Sequence, residues 1–365
     1  MKLDLTITPI PNHLENSRWP VQIAGPCSAE SEEQMLDTAQ QLKKMNRVSY
    51  FRAGVWKPRT RPGAFEGVGE VGLKWLQMVK KETGLHTACE VATTEHVELA
   101  LKYGVDLLWV GARTSVNPFS VQDIADALRG SQICVLVKNP VNPDLQLWIG
   151  ALERLNRAGI TQLAAIHRGF SGFEKTPFRN APMWSIAIEL RAICPNLPII
   201  CDPSHIAGIA DLVPLVAQKA LDIDMAGLMV EVHNNPGIAK SDAQQQLTPS
   251  AYTQMIADLC LREISPTQQE ARNELEEYRR DIDNLDDIVL QKLGQRMDIA
   301  RKIGNYKKNN NLMALQLNRW EQLIRHRQQM GKAMGINPEF IKKFFELVHE
   351  ESINIQTEIM NGIGK

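Results

Sequence analysis

Eight short runs in the first two thirds of the chain are apolar almost without interruption, and helix-length segments separate them. They are "VQIAG" from Val21, "VSYFRAG" from Val48, "LHTACEV" from Leu85 and "DLLWVGA" from Asp106. The other four are "ICVLVKN" from Ile133, "LAAIHRG" from Leu163, "PIICDP" from Pro198 and "GLMVEVH" from Gly227. A strand with one wet face alternates polar with apolar residues, whereas an unbroken apolar run belongs to a strand covered on both faces. Eight such strands alternating with helices predict a closed (β/α)8 barrel. A doubly wound open sheet is the structural rival.

Each run ends on a residue able to do chemistry: Cys27, Arg52, Glu90, Arg113, Lys138, Arg168, His205 and Glu231 in order. In a barrel these all fall on the carboxyl-end face, where active sites lie. Any one alone reads as a solvated loop charge; eight on one rim read as a polar pocket crowded with cations. Cys27, His205 and Glu231, with Asp242 in the loop after the last run, form a mixed soft and hard donor set. Such a set suits one borderline divalent ion, Mn²⁺, Fe²⁺, Co²⁺ or Zn²⁺, better than Mg²⁺. Against it, each residue taken singly is more often structural, and no CxxC-type spacing supports the group. The cations Arg52, Lys57, Arg59, Arg113, Lys138 and Arg168 are too many for one carboxylate. Glu90 is the only further acid counted at a strand end. Arginine forks match phosphate and carboxylate oxygens, so the face predicts two anionic, phosphorylated ligands beside a Lewis-acid metal.

The motifs "GPCSAES", "KPRT", "GART", "VKNP", "HRGF", "DPSH", "GLMVEVH" and "KSDAQQQL" follow one another in that order. This set resembles type I 3-deoxy-D-arabino-heptulosonate 7-phosphate (DAHP) synthase, in the short subclass related to the octulosonate synthases, over roughly residues 20–262. The resemblance implies that Cys27, His205, Glu231 and Asp242 bind the metal. It implies that Arg113, Lys138 and Arg168, with Arg52 and Lys57, hold phosphoenolpyruvate. Arg59 and Thr60 would take the phosphate of erythrose 4-phosphate, Glu90 joins the substrate-binding set, and Lys57 is the expected proton donor. The octulosonate synthases, which use arabinose 5-phosphate, carry an Asn where this chain has "KPRT".

The last hundred residues follow a different grammar. Of the 19 prolines only Pro338 lies beyond Pro266, and the segment reads as long charged helices. The predicted organisation is a barrel over 1–262, a linker over 263–271 and a helical domain over 272–365. No residue breaks the helical pattern from Arg272 to Lys308, and Leu275, Tyr278, Ile282, Leu285, Val289, Leu293, Ile299 and Ile303 form its apolar stripe. At ~1.5 Å per residue that helix is about 55 Å long. A small domain cannot cover it alone, so a second copy of the chain is expected, giving an intertwined homodimer. Arg296 and Lys307 share one helical face, while Arg279 lies about 100° away from Arg296. On the last helix Ser352 and Gln356 fall on the apolar stripe, which points to a ligand pocket inside a bundle.

Through "YRRDIDNLDDIVLQKLGQRMDIARKIGNYK", "NRW" and "EESINIQTEI" the tail is similar to the all-helical class of chorismate mutase, over 272–360. The resemblance implies that Arg279 (from the second subunit), Arg296 and Arg319 grip the two carboxylates of chorismate. It implies that Lys307 and Gln356 bond its ether oxygen, with Gln316 and Ser352 also lining the site and no metal required. Trp320 stands where that class commonly has Glu and Gln316 where it commonly has Asp. Those positions address the substrate hydroxyl, and Glu321 or Gln316 are the residues able to replace them.

Together the two resemblances imply a bifunctional enzyme of aromatic amino acid biosynthesis. Two rivals are a tail that only binds an effector and a tail that only dimerises. The first run begins at Val21, so little chain precedes it for a regulatory domain, and prephenate binding at Arg279, Arg296 and Arg319 is the expected feedback control. The formal net charge of −1 excludes a generic nucleic-acid binder, and no apolar run approaches the ~20 residues of a membrane span. The start lacks a signal-peptide pattern, and six scattered cysteines suit a reduced cytoplasm.

Overall fold

A computed structural model describes residues 3–10, 20–58, 63–172, 176–263 and 269–362, apart from the side chains of 317 and 318. The chain divides into two units, Met1–Ile264 and Ser265–Lys365. The first is a closed parallel barrel with strand order β1 to β8. Its strands are β1 (Val21–Gly25), β2 (Tyr50–Arg52), β3 (His86–Val91), β4 (Leu107–Val110), β5 (Cys134–Lys138), β6 (Leu163–His167), β7 (Ile199–Cys201) and β8 (Gly227–Glu231). Closure comes from β1 pairing with β8 in register from Val21↔Gly227 to Gly25↔Glu231. All eight predicted runs are strands, and the open-sheet rival is excluded by this closure.

The helices of the first unit are α1 (Glu32–Lys43), α2 (Glu70–Thr83), α3 (Thr94–Lys102), α4 (Pro118–Ala127), α5 (Leu145–Arg157), α6 (Trp184–Ile193), α7 (Pro203–Ala207), α8 (Val213–Asp222) and α9 (Pro249–Asp258). Ser31, Thr93, Asn117, Asp144, Asp202 and Thr248 cap six of them, each side chain accepting a backbone N–H of the first turn. The unbroken apolar runs are explained by two cores. Ile23, Tyr50, Leu107, Trp109, Leu136, Ile166 and Met229 fill the barrel interior. Their neighbours Ala24, Phe51, Leu108, Val135, Ala165 and Val230 point outward into the helix layer. Both faces of each strand are therefore dry.

The second unit consists of α10 (Gln269–Asn309), α11 (Leu317–Ala333) and α12 (Pro338–Asn361). At 41 residues α10 is about 61 Å long. It begins three residues before the predicted start, because Gln269, Glu270 and Ala271 favour a helix and Glu270 suits its positive end. Residues 264–268 of the predicted linker lie outside the described residues. Helix α12 packs on both α10 and α11. Gly304 permits the close α10–α12 approach, since a Cβ there would lie 3.1 Å from Gln356 Cα. Only Ala300, Gly304 and Lys307 of α10 are buried, whereas Tyr278, Ile282, Leu285, Val289, Ile299 and Ile303 are exposed.

Candidate active sites on the barrel rim and in the helical unit

The barrel topology brings the predicted residues to one face. Arg52, Lys138 and Glu231 end β2, β5 and β8, and Glu90 is the penultimate residue of β3. Cys27, Arg113 and Arg168 lie just beyond β1, β4 and β6, and His205 sits on α7 beyond β7. Arg52, Lys138, Glu231 and Cys27 are buried, Lys57, Arg168 and His205 partly so, and Arg113 is exposed. Arg59 and Thr60 lie outside the described residues.

The donor atoms of Cys27, Glu231 and Asp242 all fall within 4.8 Å of one another. Cys27 Sγ is 3.5 Å from Asp242 Oδ2, and Lys57 Nζ approaches the same sulfur at 3.0 Å. His205 joins through Glu231, its Nε2 lying 3.7 Å from Glu231 Oε1. Burial, and then the Glu231 charge, push the Cys27 thiol up to about 12. Lys57 alone therefore does not ionise it. Burial opposes the charge on Glu231 and Asp242, yet His205 and the neighbouring cations hold both carboxyls below their ordinary range. Glu231 Oε1 is buried and accepts no hydrogen bond among the described residues, with Arg52 Nη2 3.4 Å away as its ion-pair partner. Asp242 holds a left-handed backbone, φ 47°, that a non-glycine residue rarely adopts. Thiol, imidazole and two carboxylates with an unsatisfied oxygen fit a borderline divalent cation, which would also displace the thiol proton.

The cation excess is real but one smaller than the sequence suggests. Glu90 is not the only further acid: Asp202 follows β7 directly and is fully buried. Its Oδ2 lies 2.8 Å from both Lys138 Nζ and His205 Nδ1. The signal was present in "DPSH", because Asp before Pro is a helix start, and Asp202 accepts the His205 backbone N–H at 3.1 Å. Arg52 is different. It is buried with Nη2 against Cys27 O at 3.3 Å and Glu231 Oε1 at 3.4 Å and the guanidinium 4.9 Å from the Trp109 ring centre, while Nε and Nη1 have no hydrogen-bond partner among the described residues. Burial, Arg179 and Arg113 bring Arg168 down to about 10 against the pull of Asp202. Glu90 accepts from Trp109 Nε1 at 2.8 Å, and a Cβ at Gly111 would lie 2.3 Å from its Oε1.

Sequence reasoning also missed the residues that orient the donors. Gln245 donates to Glu231 Oε2 at 2.7 Å and accepts from Arg179, which also reaches Asp242 Oδ1 at 3.0 Å. Gln246 accepts the Cys27 backbone N–H at 3.0 Å. Such partners fix donor geometry around a metal. Both glutamines lie in "KSDAQQQL", three and four residues past Asp242.

In the helical unit Arg296, Lys307, Gln316, Arg319, Ser352 and Gln356 line one cavity of about 420 Å³. Lys307 Nζ donates to Gln356 Oε1 at 2.9 Å, and Arg296 bonds the Ser352 hydroxyl and Val348 O. Burial holds both cations below their ordinary pKa, with Arg327 adding to the effect at Arg296. Arg279 is not part of this cavity: it is exposed and pairs with Glu276 at 2.5 Å. Glu321 does not line it either, being exposed and paired with Arg325 at 3.1 Å.

Comparison with known proteins accounts for both units. The DAHP synthetase I family matches residues 16–266, and chorismate mutase type II matches residues 278–357. The phospho-2-dehydro-3-deoxyheptonate aldolase of Thermotoga maritima is 30% identical over 237 residues, 65% of this chain and 68% of that protein. The 2-dehydro-3-deoxyphosphooctonate aldolase of Paraburkholderia xenovorans is 29% identical over 242 residues, 60% of this chain and 82% of that one. A crystal structure of the Thermotoga maritima DAHP synthase aligns with a TM-score of 0.59 and 29% identity, over 66% of this chain and 68% of that one. A truncated form of the 3-deoxy-D-arabino-heptulosonate 7-phosphate synthase from the same organism gives 0.57 and 27%, over 65% and 84%. With a closed barrel that matches one family and long helices that match the other, this chain belongs to the DAHP synthetase I family and carries a carboxyl-terminal chorismate mutase type II domain.

Proposed function

We propose that the barrel condenses phosphoenolpyruvate with erythrose 4-phosphate to DAHP and inorganic phosphate, and that the helical unit rearranges chorismate to prephenate. The observation that carries the first half is Arg52. Its Nη2 meets Glu231 Oε1 at 3.4 Å, but Nε and Nη1 have no hydrogen-bond partner among the described residues, and with Lys57, Lys138, Arg113 and Arg168 nearby an anionic ligand would satisfy them. In this reading Arg52, Lys57, Arg113, Lys138 and Arg168 hold the carboxylate and phosphate of phosphoenolpyruvate. Arg59 and Thr60 bind the aldehyde phosphate, and Glu90 borders both. Cys27, His205, Glu231 and Asp242 would hold a divalent ion that supplies Lewis-acid polarisation of a carbonyl oxygen.

The new C–C bond forms between C3 of phosphoenolpyruvate and the aldehyde carbon. Lys57 gives a proton to the resulting alkoxide, and burial is outweighed by Cys27, Glu231 and Glu90 in keeping it charged for that task. Water adds at C2, and the C2–O bond to phosphate breaks. Product assays with both sugar phosphates test the substrate. Erythrose 4-phosphate should be turned over far faster than arabinose 5-phosphate, and the reverse order would make the barrel an octulosonate synthase.

The helical unit needs no nucleophile. In this reading Arg296 and Arg319, with Arg279 of a second copy, clamp two carboxylates, and Lys307 and Gln356 stabilise the ether oxygen. The exposed apolar face of α10, with Ile282, Leu285 and Val289, supports a homodimer. Sedimentation should give twice the chain mass, and Ile282→Asp with Leu285→Asp should give monomers with weakened mutase activity. A monomeric wild type would refute the dimer. We assign 1–262 to the synthase, 263–271 to the linker and 272–365 to the mutase, in a reduced cytoplasmic setting. Among the described residues all six cysteines are free and no helix is long and apolar enough to cross a membrane.

Feedback control belongs to the same reading. Prephenate bound at Arg279, Arg296 and Arg319 would inhibit DAHP formation if it prefers one of two states of the chain. The full chain should be inhibited, whereas a chain ending at Arg262 should be indifferent. Equal inhibition of both, or of neither, would remove the helical unit as the sensor.

A further inference from the structure

The helical cavity contains one more polar group than the mutase reading uses. His349 lines it from α12, one turn before Ser352 and two before Gln356. Its ring stacks on Trp320 of α11, with centroids 4.3 Å apart and planes 21° from parallel. The Nε2 atom is buried and has no hydrogen-bond partner among the described residues. A buried polar atom without a partner is destabilising, so its persistence in a cavity calls for a ligand atom to meet it.

The neighbouring chemistry says which atom. Arg296, Lys307 and Arg319 are donors only, suited to carboxylate and ether oxygens, and none can accept a proton from an alcohol. Gln356 Oε1 is engaged by Lys307, and the Ser352 hydroxyl is engaged by Arg296 and Val348 O. Burial, then Arg296 and Lys307, hold His349 below the ordinary histidine range, so the ring stays neutral and one nitrogen keeps a lone pair.

We infer that His349 Nε2 accepts the O–H of the ring alcohol on the cavity's dicarboxylate ligand, with the Trp320 ring fixing the imidazole plane. This rests on the mutase reading. It gives Trp320, unable to bind a hydroxyl as a carboxylate would, a supporting part in the same recognition. Gln316, exposed at the cavity wall, is the rival acceptor.

The test uses the full chain with His349→Leu, His349→Asn and Gln316→Ala, assayed on chorismate and on its analogue lacking the ring hydroxyl. His349→Leu should lower kcat/KM on chorismate by roughly 10- to 100-fold, the range for losing a buried hydrogen bond. On the deoxy analogue it should match wild type within about twofold, because no coupling remains between the two deletions. His349→Asn, which keeps an acceptor, should recover part of the loss, and DAHP formation should be unchanged in every variant. Equal losses on both substrates, or a hydroxyl-dependent loss in Gln316→Ala and not in either His349 variant, would overturn the assignment. Wild-type protein that fails to turn over chorismate would sink the mutase reading and this inference with it. Normal wild-type turnover with unaffected His349 variants would sink the inference alone. Circular dichroism checks folding, and His349→Asn keeps the test informative if the Leu variant unfolds.

Discussion

Stripping divalent ions from the protein is expected to abolish DAHP formation and to leave chorismate turnover within about twofold of normal. The donors Cys27, Glu231 and Asp242, with His205 beside Glu231, all lie in the barrel unit, and the helical cavity holds no comparable donor group among the described residues. A Lewis acid contributes several kcal/mol to charge stabilisation, which is at least about three powers of ten in rate. Cys27→Ala should reproduce that loss in the presence of added metal. The side chain packs against Lys57 and Asp242 rather than within the apolar core, so the fold should survive and the melting temperature should change by only a few degrees. Metal titration gives a second readout: Cys27→Ala should bind the ion far more weakly, whereas Gln245→Leu, which frees Glu231 Oε2, should weaken it roughly 10- to 100-fold. Full synthase activity in metal-free protein would refute the site.

How much of this was legible in the chain follows from the range of the interactions involved. The runs at Val21 and Gly227 became strands at the predicted starts, because one strand follows Pro20 and the other opens on a glycine wedged against Val21. The run from Val48 gave only Tyr50–Arg52, since β1 offers it just two paired residues, Ile23 and Ala24. Its remaining apolar residues, Val48 and Ala53, are buried outside the strand, where hydrophobicity is the same but pairing is not. Rim residues were legible because the βα repeat delivers every strand end to one face. Asp202 with Lys138 and Gln246 with Cys27 were not, because each contact joins distant segments and no periodicity encodes it. In the tail, helical spacing placed Arg296 and Lys307 on one face. His349 had the same signal, three residues before Ser352, but histidine on an apolar stripe is usually structural. The residues at the start of α11 could not be ranked by spacing: Gln316, just before the helix, reaches the cavity and Glu321 does not.

Lys307→Ala should cut mutase turnover by at least ~100-fold while DAHP formation continues at its normal rate. The ammonium is buried on α10, donates to Gln356 Oε1 at 2.9 Å, and also reaches Ala314 O. A pericyclic rearrangement gives the protein no covalent step to assist. What remains is holding the reactive conformer and meeting negative charge as it develops on the ether oxygen. Preorganised donors act strongly there because burial has already removed their water, and loss of one such donor typically costs ~100- to 1,000-fold. Gln356→Ala should show a loss of the same order, since it removes both the amide donor and the group that aims Lys307. The losses should appear in kcat more than in KM, because the carboxylate binding proposed for Arg296 and Arg319 would be untouched. The double variant should lose less than the product of the single losses, as expected for residues that act as one unit. Near-normal kcat in either single variant would place the chemistry elsewhere in the cavity and leave Lys307 with only a structural part, tying α10 to the turn before α11.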